Sequence, residues 1–91
     1  LVVSADAGSR GGKVVPYKPL LDEALRLSAH KVPKVLMVDR GLAPMERTAG
    51  RDVDYAAERE RHAGAQVPVV WLDSTAISYT IYTSGTTGRP K

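Results

Sequence analysis

Apolar residues recur along this chain in short blocks, and the spacing within each block predicts one kind of element. Leu1-Val2-Val3-Ser4-Ala5 is a continuous, β-branched run ending at Asp6, which predicts a short strand buried in a parallel sheet. From Pro19 to about His30 the apolar residues take helical spacing, with Leu20, Ala24 and Leu27, joined by Leu21 and Leu25, on the face expected to be buried. Pro19 suits the first turn, Asp22 and Glu23 lie near the positive end of the helix dipole, and Arg26, His30 and Lys31 lie toward the other end. Val32-Pro33 breaks that helix. Val35-Leu36-Met37-Val38 then predicts a second buried strand ending at Asp39. Strand, loop, helix and strand make a βαβ-like unit, with a right-handed crossover if the strands are parallel.

Beyond Asp39 the chain runs irregular and charged through Asp52. Val53 to about Ala63 predicts a second helix, with Asp52 or Asp54 as cap, a wet face at Glu58-Arg59-Glu60-Arg61 and a stop at Gly64. Val67 to Leu72 is apolar and extended, but Pro68 suits an edge or a connector better than a central strand, and Trp71 is expected in the core. From Ala76 to Thr83, Ile77, Tyr79 and Ile81 alternate with Ser78, Thr80 and Tyr82. That period predicts a strand leading into the glycine-containing loop that follows.

Charge and composition narrow the classes. The net charge of +3 comes entirely from residues 1–34, which hold six Lys/Arg against three Asp/Glu. The excess gathers around one glycine-rich loop, with no long basic stripe or interleaved aromatic set, which suits a small anionic ligand better than nucleic acid. There is no cysteine, hence no disulfide framework and no thiolate metal or redox site, and this suits a cytoplasmic enzyme. No apolar run approaches the roughly 18 residues that a membrane span needs. His30 and His62 have no second ligand at helical spacing, so no metal site is expected. The chain opens within a strand, without an initiator Met, and stops directly after a loop. We therefore expect it to be a piece of a longer protein.

Two loops combine glycine with cations. Ala7-Gly8-Ser9-Arg10-Gly11-Gly12-Lys13 follows the first strand, where open α/β sheets place ligands, and Val14-Val15-Pro16 reads as its extended exit. On composition alone a surface turn with solvated cations is the favoured reading. Tyr82-Thr83-Ser84-Gly85-Thr86-Thr87-Gly88-Arg89-Pro90-Lys91 offers hydroxyl donors, two glycines that let backbone N–H groups approach an anion, and a terminal lysine charge. Its spacing is neither that of a Walker P-loop nor that of a Rossmann fingerprint.

The last ten residues resemble, at every fixed position, the phosphate loop of the adenylate-forming enzymes: acyl-CoA synthetases, luciferases and the adenylation domains of peptide synthetases. The stretch from Ser4 to Lys18 is similar to short-chain acyl-CoA synthetases that activate acetate and propionate, and with Val67 to Leu72 it leans toward the propionate-activating members. The resemblance implies an α/β fold in which residues 1–91 are a partial segment of the large N-terminal AMP-binding domain. It implies an ATP- and Mg²⁺-dependent ligase that joins a short carboxylic acid to coenzyme A, with no nucleic-acid or membrane partner. Thr83, Ser84, Gly85, Thr86, Thr87, Gly88 and Lys91 would hold the ATP phosphates, and Arg10, Gly11, Gly12 and Lys13 would contact coenzyme A. No catalytic residue falls in the segment, which alone is expected to be inactive. Another branch of the superfamily would share the phosphate loop without the Arg10 loop, and a small phosphate- or nucleic-acid-binding module is the non-enzymatic alternative.

Overall fold

The computed structural model of the chain describes residues 1–83 and 88. In chain order its elements are β1 (Val2–Ala5), β2 (Ala7–Arg10), β3 (Lys13–Pro16), α1 (Lys18–Leu27), β4 (Val35–Val38), β5 (Asp52–Asp54) and α2 (Tyr55–Arg61). Strands β1, β4 and β5 form a parallel sheet in that order, and β2 pairs with β3 as a separate antiparallel ribbon. This is a mixed α/β arrangement, as the βαβ reading requires.

The uninterrupted apolar run of β4 takes the central place, with Val2 opposite Val35 on one side and Asp52 opposite Val35 on the other. Val35 and Met37 point to one face, two residues apart, and are fully buried. The β1 strand is less enclosed than expected. It is an edge of this sheet with one neighbour, and its Val3 stays 60% exposed.

Helix α1 starts at Lys18, with Pro19 in its first turn, and ends at Leu27, where Ser28 turns to an extended backbone (ψ 133°). The expected extension to His30 does not form. Its inward face also differs from the expected one. Lys18 is buried and Leu21 and Leu25 are half-buried, whereas Leu20, Ala24 and Leu27 are exposed. Residues 18, 21 and 25 share one stripe by the three- and four-residue rule, so the face that turns inward is the one that carries the ion-paired Lys18. Each half-buried leucine contributes on the order of 1 kcal/mol.

Asp52-Val53-Asp54, expected to lie at the start of a helix, is instead strand β5. Asp54 caps α2, its side chain accepting the Ala57 N–H at 3.0 Å, and also pairs with Arg47. The helix ends at Arg61, ahead of Gly64. Residues 67–83 contain no strand: Val67 to Leu72 is a connector, one of the two readings Pro68 left open, and the strand expected from Ala76 to Thr83 does not form. Val67, Val69, Val70, Trp71, Leu72, Ile77, Tyr79 and Ile81 are exposed, Trp71 to 90%. A period-2 pattern becomes a strand only against a hydrogen-bonding neighbour, and no strand among the described residues pairs with this one. No helix among the described residues is long and apolar enough to cross a membrane.

Candidate functional site

Arg10-Gly11-Gly12-Lys13, expected as an open loop, is the tip of an antiparallel hairpin in which Arg10 stands opposite Lys13. Both turn residues have positive φ, 57° at Gly11 and 76° at Gly12, the pattern of a two-residue type I′ turn that suits the twist of the flanking strands. A Cβ at either glycine would meet no atom within 4 Å. These glycines thus serve backbone conformation and leave open space in front of the turn. Lower in the ribbon the reason for glycine is contact: a Cβ at Gly8 would fall 2.0 Å from the Tyr17 hydroxyl. Arg10 and Lys13 are exposed and take part in no ion pair among the described residues.

The base of the hairpin is held by Asp6, which the sequence marked only as the end of a strand. Its N–H donates to the Val38 carbonyl at 3.1 Å, and its carbonyl accepts the Tyr17 N–H at 2.8 Å, where the ribbon returns. Its fully buried carboxylate accepts three backbone N–H groups of the loop after β4: Arg40 at 3.1 Å, Leu42 at 2.7 Å and Ala43 at 3.1 Å. Burial alone would raise the carboxyl's pKa. The N–H groups of Ala43, Leu42, Arg40 and Ala7 outweigh it and bring it down to about 2.

A carboxylate held below its unfolded-state pKa stabilises the fold fully above that value, near 4, and loses the contribution as pH falls through its folded value of about 2. In thermal melts of the full-length protein between pH 7 and pH 2, the parent should therefore destabilise more steeply below about pH 4 than Asp6→Asn does. Equal slopes for the two proteins would remove Asp6 as the cause.

A second cluster lies at the opposite end of the sheet. Asp52 opens β5 beside Val35, the first residue of β4, whereas Asp6 follows the last residue of β1. Lys18 Nζ donates to Asp22 Oδ2 at 2.6 Å and lies 3.0 Å from Asp52 Oδ2. Arg51 grips Asp52 through Nε at 2.6 Å and Nη2 at 3.2 Å, and reaches Asp22 Oδ1 at 2.5 Å. The Thr48 N–H completes the shell of Asp52 at 2.9 Å. Burial would raise the Asp52 pKa, but Arg51, Thr48 and Lys18 hold it well below the usual carboxylate range. Two cations and two carboxylates balance, and no buried side-chain polar atom among the described residues lacks a partner.

Open parallel sheets bind ligands beyond the carboxyl ends of their strands, the end that carries Asp6 and the hairpin. The Asp52 cluster sits at the amino ends and is saturated by its own members. Neither carboxylate was distinguishable in the sequence from a solvated one. The i, i+4 spacing of Lys18 and Asp22 was the one local hint.

Of the residues expected to hold ATP phosphates, Thr83 and Gly88 are exposed, Gly88 with φ 75°. Ser84, Gly85, Thr86, Thr87 and Lys91 lie outside the described residues. A shallow recess lined by Leu1, Lys34, Leu36, Val53, Glu58 and Arg61 includes none of the predicted site residues. Among the described residues no group of three or more His, Asp or Glu could hold a metal ion.

No protein-family model matches the chain. Along its whole length it is similar to one segment of curated acyl-CoA-forming enzymes. It is 60% identical over 91 residues to the propionate–CoA ligase of Escherichia coli (strain K12), covering all of this chain and 14% of that protein. Identity is 41% over 92 residues to the acetyl-coenzyme A synthetase of Methylobacterium radiotolerans, again all of this chain and 14% of the relative. It is 40% over 93 residues to the rat mitochondrial acyl-CoA synthetase short-chain family member 3, of which the chain covers 13%. The similarity therefore spans the hairpin and the terminal loop together, within about one seventh of each relative's length.

Proposed function

We propose, from a chain that matches a segment of AMP-forming acyl-CoA synthetases along its whole length, that the full-length protein is a short-chain carboxylate–CoA ligase acting on propionate. The observation that carries this reading is the 60% identity to a propionate–CoA ligase over all 91 residues. The lower identity to an acetyl-coenzyme A synthetase, 41%, favours propionate over acetate.

The reaction has two halves. The acid's carboxylate oxygen attacks the α-phosphorus of ATP, the bond to the β-phosphate bridging oxygen breaks, and acyl-adenylate and pyrophosphate form. The thiol of coenzyme A then attacks the acyl carbon, loses its proton and expels AMP. A carboxylate is a poor electrophile because it is anionic and lacks a good leaving group; adenylation supplies one.

Thr83, Ser84, Gly85, Thr86, Thr87, Gly88 and Lys91 hold the β- and γ-phosphates and stabilise charge that grows on the departing pyrophosphate. Arg10, with Lys13 across the tip, takes the nucleotide-phosphate end of coenzyme A, the guanidinium by a bidentate fork and the ammonium as a point charge. Two features of the hairpin support this assignment. Its cations have no ion-pair partner among the described residues, and the turn between them is open to an approaching phosphate. Mg²⁺ is expected to arrive on the ATP phosphates. Among the described residues no carboxylate cluster stands ready to hold it. None of these side chains is a nucleophile or general base, and under this reading the 91 residues alone are inactive.

Pyrophosphate exchange into ATP tests the first half-reaction without coenzyme A. With Mg²⁺, the full-length protein should catalyse exchange only when a short acid is present, faster with propionate than with acetate. A folded, ATP-binding protein that exchanges with neither acid would overturn the ligase reading.

A further inference from the structure

We infer that Asp6 is the positioning residue for the coenzyme A hairpin, aiming Arg10 and Lys13 by clamping the ribbon's base to the end of the parallel sheet; this rests on the reading that the hairpin binds coenzyme A. A lone two-stranded ribbon is at best marginally stable in water, so its direction has to be set where it leaves the fold. It leaves at Ala7 and returns at Pro16, and its tip stands four residues, roughly 13 Å, from that base.

Asp6 occupies the base with all three of its polar functions. Its N–H joins it to the end of β4, its carbonyl ties down the returning strand at Tyr17, and its carboxylate gathers the N–H groups of Arg40, Leu42 and Ala43. Arg40 adds a contact from the same loop, Nη1 donating to the Ala7 carbonyl at 3.4 Å. A carboxylate suits this position because it accepts only. An asparagine can turn its oxygen to Leu42 and Ala43, which share one carboxylate oxygen, but its NH₂ then faces the Arg40 N–H, donor against donor. A small rotation at the base is magnified at the tip, where phosphate contact depends on placement within about 1 Å.

The test compares the two half-reactions in the full-length protein. Asp6→Asn should raise the KM for coenzyme A about tenfold while propionate-dependent pyrophosphate exchange stays within about twofold of the parent. Hydrogen exchange at the amides of residues 8–15 should quicken in the same variant. Arg10→Ala is the reference, expected to raise the KM for coenzyme A by itself. If Arg10→Ala raises that KM and Asp6→Asn does not, the positioning role is wrong and the coenzyme A assignment stands. If Arg10→Ala leaves it unchanged, the coenzyme A assignment fails and the inference with it. Parallel loss of both half-reactions in Asp6→Asn would make Asp6 a general structural residue and overturn the proposal. Should Asp6→Asn not accumulate as folded protein, Asp6→Ser, which leaves room for water before the three amides, enters the same comparison with the same outcomes.

Discussion

Asp52→Asn in the full-length protein is expected to cost about 3–5 kcal/mol of stability, because it leaves Lys18 and Arg51 facing a neutral group in a buried cluster. Asp52 is the hub: it accepts from Arg51 through two bonds and from the Thr48 N–H, and lies against a Lys18 that is only 3% exposed. Asp22 cannot take over, since it is the more exposed carboxylate of the pair and already shared by both cations. Differential scanning fluorimetry should show the melting transition of the domain that contains this segment lowered by roughly 10 °C. The Lys18→Met and Asp52→Asn changes should also be non-additive, the double variant losing less than the two single losses combined, because removing both partners strands fewer charges. A shift in Tm of less than about 2 °C for Asp52→Asn would show that the cluster contributes only as an exposed ion pair does.

Lys91→Met is expected to slow propionate-dependent pyrophosphate exchange on the order of 10²-fold, the loss typical of removing one donor aimed at transition-state charge. Its KM for propionate should change little, because in the proposed role the charge acts on the phosphates and not on the acid. Lys91→Arg should recover only part of the rate: the charge returns, but on a planar fork of different reach. Hydrogen-exchange or scanning-calorimetry profiles matching the parent would separate this from a folding defect. A folded Lys91→Met protein with parental exchange would falsify the role assigned to that residue.

The two predictions differ in where they were legible. Lys91 is a position in a ten-residue motif, and the role proposed for it rests on the resemblance of that motif to the phosphate loop of adenylate-forming enzymes. Asp52 sits in an acidic stretch that read as the approach to a helix. Its burial depends on β5 pairing with β4 and on Lys18 arriving from a different element, 34 residues earlier. The same contrast runs through the hairpin. Glycine and cation content marks residues 7–13, but Ala-Gly-Ser-Arg has no strand-like apolar alternation, so the pattern predicts a loop where the structure has strand β2. The hairpin is defined by the Gly11-Gly12 turn, a local signal, and by the closing of its base on Asp6, which is not local.

Residue type and period by themselves determined the α/β class, the buried run Val35–Val38, the helix that begins near Pro19, a cap at Asp52 or Asp54 that the structure places at Asp54, and two stretches that combine glycine with cations. These depend on near neighbours: a continuous apolar run, a side chain within one helical turn, a glycine at a tight bend. Tertiary structure decided that Asp6 clamps the loop 34 to 37 residues later, that Asp52 is buried in a charge cluster, and which face of α1 turns inward. It also left residues 76–83 without the strand their alternation predicts. The physical reason is common to all four. Burial and hydrogen-bond partnership are properties of pairs, and a sequence pattern states what one member needs without stating which distant residue will supply it.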